Sequence, residues 1–113
     1  MIEKVLISYL NNALDVPVYG EEPKKKTKKY CILQTIDAGY TNFICKATVM
    51  IRSYAPSLQE AEELYSQVKE AMYNSGQIDN ISSGKLAGGG QAIDVTTDRY
   101  AYDCVFNIFY MEG

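Results

Sequence analysis

Apolar residues in this 113-residue chain recur first at helical and then at strand spacing. Ile2, Val5, Leu6, Tyr9, Leu10 and Ala13 fall three and four apart, which predicts a helix over residues 3–14 with one apolar face. Pro17 stops it, because the residue before a proline is pushed out of the α region. The following VPVYGEEPKKKTKK holds two prolines, a glycine and five lysines and reads as an exposed, irregular loop.

YCILQTI, residues 30–36, is rich in aromatic and β-branched residues and reads as a strand. DAGY at 37–40 offers an aspartate to start a turn and Gly39 to take a positive φ, so a hairpin is expected there. The run from Thr41 to Tyr54 alternates: Phe43, Cys45, Ala47, Val49 and Ile51 on one face, Lys46, Thr48 and Arg52 on the other. Pro56 closes that strand, and Ser57 with Glu60 forms a capping box for a second helix. Its apolar stripe is Leu58, Ala61, Leu64, Tyr65, Val68, Ala71 and Met72, and Gly76 is expected to end it in the left-handed conformation. SSGKLAGGGQ, residues 82–91, reads as a flexible loop. AIDVT and YAYDCVFNIFYM read as a final strand pair joined near Asp98 and Arg99.

These elements predict an α+β fold in a single small domain, residues 1–113. The expected architecture is a four-stranded, mainly antiparallel sheet with two helices packed on one face, in the order α-β-β-α-β-β. An apolar fraction of 47% is enough to build a core at this length. Fourteen carboxylates against eleven basic residues argue against bulk attraction to nucleic acid or an anionic membrane. The opening MIEKVLISYLNN is too short an apolar run for a signal peptide, and no stretch is long enough to cross a bilayer. A soluble protein made inside the cell is therefore expected.

Candidate chemistry is sparse. The chain has no histidine, the commonest general base and metal ligand. Cys31, Cys45 and Cys104 form no CxxC pair and sit in apolar runs, where cysteine packs as a small hydrophobe. Asp94, Asp98 and Asp103 are the carboxylates nearest a possible acid–base role, but their turn and strand-edge positions favour solvated or capping roles. Gly88–Gly90 leads into a strand, whereas a phosphate cradle needs a helix behind it. No enzyme activity, cofactor or metal is expected.

Two surface features remain. Lys24, Lys25, Lys26, Lys28 and Lys29 form a basic run that reads as a solvated loop, or as a contact to phosphate or an acidic partner. The solvated reading is preferred, because no aromatic residue is interleaved for base stacking. In the last strand, Tyr100, Tyr102, Cys104, Phe106, Ile108 and Tyr110 make the face that the helices cover. Ala101, Val105, Phe109 and Met111 lie on the other, with Asp103 and Asn107, and Ile44 and Met50 point the same way. Two helices cover one side of a small sheet, so Ile44, Met50, Val105, Phe109 and Met111 are a candidate subunit interface.

VPVYGEEP after a short helix, VMIRSYAPSLQEAEELYSQVKEAM in mid-chain and the closing RYAYDCVFNIFYME together resemble the tail terminator (tail completion, neck) proteins of long-tailed bacteriophages and related prophages. The resemblance spans nearly the whole chain. It implies a virion structural protein, made in the bacterial cytoplasm, that assembles as a ring, commonly a hexamer, on the last ring of the tail tube. Such a ring ends tail polymerisation and offers a docking surface to head-completion or connector proteins, and genome DNA passes through its lumen without sequence-specific binding. Two alternatives stand beside it: another head–tail connector component, or a small-ligand-binding α+β regulatory domain.

Overall fold

The structure, a computed structural model, describes residues 2–21, 24, 28–41, 44–78, 81–92 and 100–111. Helix α1 spans Ile2–Ala13, and strands β1, β2 and β3 span Val18–Tyr19, Tyr30–Thr41 and Ile44–Ala55. Helix α2 spans Leu58–Tyr73 and runs into a 3-10 turn, Asn74–Gln77; β4 spans Ile81–Ala92 and β5 spans Tyr100–Tyr110. The five strands form one mixed sheet in the order β1-β2-β3-β5-β4.

This overturns the expected four-stranded, mainly antiparallel sheet and its α-β-β-α-β-β order; the observed order is α-β-β-β-α-β-β. The extra strand comes from the segment expected to be irregular. β1 pairs parallel to β2, with Val18 beside Cys31 and Tyr19 beside Ile32. A side chain from α1 pins it: the Asn11 amide donates to the Val18 carbonyl at 3.1 Å and accepts from the Val18 N–H at 2.9 Å. Pro17 contributes as well, since its carbonyl accepts from the Cys31 N–H at 3.0 Å.

Two expected turns or loops are strand instead. Residues 37–40 pair straight through, with Gly39 opposite Lys46 and Thr41 opposite Ile44, so the expected turn does not fall at 37–40; residues 42 and 43 are outside the described set. The ladder carries a bulge at Ile36: the register steps from Thr35–Val49 to Asp37–Thr48, leaving Ile36 as an extra, exposed residue. The glycine-rich segment 82–91, expected to be a flexible loop, is most of β4 and is paired to β5. Of the expected strand AIDVT only Ala92 lies in β4, and residues 93–99, with Asp94 and Asp98, are outside the described set.

Elements with strong local signals form as their patterns require. The Ser57 hydroxyl accepts from the Glu60 N–H at 3.2 Å and donates to the Glu60 carboxylate at 2.9 Å, which caps α2. α2 ends by tightening into the 3-10 turn at Asn74 rather than at Gly76. Cys45, Ala47, Val49 and Ile51 of β3 are all buried, as alternation demands. Both helices share one core with the sheet: Leu6 and Leu10 of α1, Leu64, Val68 and Met72 of α2, and Leu33, Ile51, Cys104, Phe106 and Ile108 below them. Each such side chain contributes about 1.5–3 kcal/mol when fully buried. The Tyr9 hydroxyl ties the helices together by donating to the Ala71 carbonyl at 2.8 Å.

Candidate functional site

The face of the sheet turned away from the main core is organised in cross-strand rows. At one end Tyr30 and Tyr54 stack with ring centroids 4.7 Å apart; Tyr19 tilts against Tyr30 at 6.3 Å. With Ile32 and Ala101 these residues make a second, smaller core. The next row carries an ion pair. Arg52 donates to both carboxylate oxygens of Asp103, at 2.6 and 3.1 Å. Hydrogen bonding to Asp103 raises the Arg52 pKa above its ordinary value, so the guanidinium stays charged. Asp103, a candidate acid–base group, is therefore a structural partner within the sheet.

Met50 and Val105 form the following row, directly opposite one another and both half-buried. Beyond them the Thr48 hydroxyl donates to the Asn107 side chain at 2.7 Å. Phe109 then lies beside Lys46, and Ile44 and Met111, 44% and 54% exposed, stand at the same end. The five candidate interface residues thus share one face. They form an apolar stripe interrupted by the Thr48–Asn107 pair. Sequence alternation located the stripe but missed the aromatic core at its far end, because Tyr30 and Tyr54 meet only once the β2–β3 register is set.

The basic run is partly described. Lys24 and Lys28 are exposed; Lys29 lies 3.7 Å from Glu60 at the start of α2; Lys25 and Lys26 are outside the described residues. All three cysteines are buried and free. Burial pushes the thiols of Cys31 and Cys104 up to about 12, only partly offset at Cys31 by its contact with Ser53. Neither is a thiolate near neutral pH. Among the described residues, no three His, Cys, Asp or Glu side chains cluster closely enough to hold a metal ion, and no helix is long and apolar enough to cross a membrane.

A feature invisible to pattern reading is a cleft of about 470 Å³ where the C-terminal ends of α1 and α2 approach, bounded by Tyr9, Leu14, Asp15, Gln67, Glu70 and Asn74. No family model matches the chain, and no curated protein matches its sequence.

Proposed function

We propose that this protein is a structural assembly component that forms a ring, most simply as a phage-type tail terminator. In this reading it caps a tail tube, ends polymerisation and presents a joining surface to a head-completion protein, and DNA passes through its lumen. It carries out no catalysis and resides in the tail or neck of a virion.

The supporting observation is the sheet face that the helices leave open. Ile44, Met50, Val105, Phe109 and Met111 are half-buried or exposed there, beside polar groups already satisfied within the sheet. An apolar stripe whose polar neighbours need no further partner is suited to a subunit contact, because covering it strands few unsatisfied groups. The resemblance in VPVYGEEP, the mid-chain helix and the last strand supplies the type of assembly. Electron microscopy and light scattering of the purified chain test it: rings of about six subunits are expected, and a monomer at all concentrations would sink it.

The cleft between the helix ends favours the second reading, a small-ligand domain, since its volume falls within the roughly 300–1,000 Å³ of ligand pockets. Its polar, carboxylate-bearing wall suits a small amine, and a thermal-shift screen of amines that finds no stabilisation removes that reading.

A further inference from the structure

The two edges of the sheet are unequal. The β1 edge is two residues long, lies next to Pro17, and is tied to α1 through Asn11. The β4 edge is twelve residues long, has no proline, and is exposed from Lys85 to Gly89 and at Gln91. Among the described residues no strand pairs with its outer side, and an edge of that length presents a row of backbone donors and acceptors.

We infer that β4 pairs antiparallel with β4 of a second copy of this chain, across a twofold axis at Gly88, with Lys85 of each copy directed to Asp103 of the other. Three observations carry this. A head-to-tail contact would set β4 against an edge divided between the two-residue β1 and the outer side of β2, whereas a twofold contact matches two equal edges. Gly88 and Gly90 are open on their side-chain sides, since a Cβ at either would meet nothing within 4 Å. The charges then agree. The β4–β5 register sets Lys85 level with Asn107, Gly88 with Val105 and Gly90 with Asp103, and the shift between Leu86 and Gly88 keeps all three on the same face.

With Gly88 opposite Gly88, and with Ala87 the extra residue of the bulge between Leu86 and Gly88, Lys85 falls opposite Gly90 of the second copy. Gly90 has no side chain, and a hollow of about 270 Å³ bounded by Gly89, Gly90, Gln91, Asp103 and Val105 opens beside it. The backbones of Lys85 and the facing Asp103 are then two strand spacings apart, roughly 9.5 Å. A lysine stem and an aspartate reach across that gap together. Arg52 already binds Asp103, but a carboxylate offers about four acceptor sites. A lone lysine on an edge ordinarily guards against pairing. Here Lys85 is the only charge in β4, and this register gives it an acidic target. The contact uses the sheet edge, so it is separate from a ring contact through the sheet face.

Sedimentation equilibrium of the full chain tests the pairing. The wild type should associate. Lys85→Glu, which sets a carboxylate against Asp103, and Gly88→Glu, which sets two carboxylates together on the axis, should each weaken association at least tenfold. Lys85→Arg should retain it. Far-UV circular dichroism should match the wild type for all three, because Lys85 is exposed and a Cβ at Gly88 meets open space. A wild type that stays monomeric, or an association untouched by both glutamates, overturns the proposal. Loss with Gly88→Glu but not with Lys85→Glu overturns the register. Phe109→Asp should leave this edge contact intact, so failure of the ring and failure of the edge pairing are read separately.

Discussion

The two faces of the sheet share the long strands β2, β3 and β5, yet they are stabilised in different ways. Under the helices, Leu33, Val49, Ile51, Cys104, Phe106 and Ile108 are all 0% exposed, and non-directional apolar burial holds them. On the other face the rows are held by directed pairs: Tyr30 on Tyr54, Arg52 to Asp103, Thr48 to Asn107. The first face is complete in one chain. The second is complete only at its Tyr30 end and runs out into Phe109, Ile44 and Met111. A face whose polar groups are satisfied while its apolar groups stay partly wet is prepared for a neighbour.

The sharpest test sets one aspartate against the other. Phe106→Asp buries a carboxylate under the helices and should unfold the subunit, a loss of more than about 4 kcal/mol read by chemical denaturation. Phe109→Asp should leave the monomer within about 1 kcal/mol of wild type while dispersing any assembly seen by light scattering. The reverse pattern would mean that the faces have exchanged roles.

Gly89→Ala should cost about 1–3 kcal/mol. Gly89 has φ +157°, and a Cβ there would sit 2.7 Å from both the Asp103 carbonyl and the Tyr65 hydroxyl. Gly88→Ala, with open space around it, is the control, and equal melting temperatures for the two variants would refute this. Arg52→Ala should cost about 1.5–3 kcal/mol, because it strands a half-buried carboxylate on the open face. A neutral result would mean that solvent screens the pair fully.

Alkaline melts probe the covered face. Cys31 and Cys104 hold their protons more tightly when folded, with pKa near 12 against an ordinary 9. Their contribution is therefore complete below about pH 9 and is lost as pH rises toward 12. The melting temperature should fall over that window, less steeply in Cys104→Ala, and the native thiols should resist a thiol reagent at pH 8. The smallest effect is expected at the basic run. Replacing Lys24 and Lys28 by serine should move stability by less than about 0.5 kcal/mol, since both are exposed.

What was readable from the chain had its cause close by in sequence. The Ser57 cap, the α2 stripe from Ala61 to Met72, the β3 alternation and the buried Cys104, Phe106 and Ile108 of β5 each follow from spacing within one element, because a repeat of 3.6 or 2 determines which side chains share a face. Leu58 and Tyr100, expected on the covered faces, lie at the element ends and are exposed. The candidate stripe Met50–Val105–Phe109 was legible for the same reason. β4 was not, because Gly88–Gly90 has the composition of a loop; pairing with β5 and the approach of Tyr65 over Gly89 make it a strand. β1 was hidden because two residues carry no period, and the reason Val18 is extended lies in Asn11, seven positions away. The Ile36 bulge and the row register likewise depend on strands meeting. Local backbone preference and side-chain period are properties of the sequence alone. The number of strands, the edge left open and which charges face each other depend on long-range pairing, and only the tertiary structure decides them.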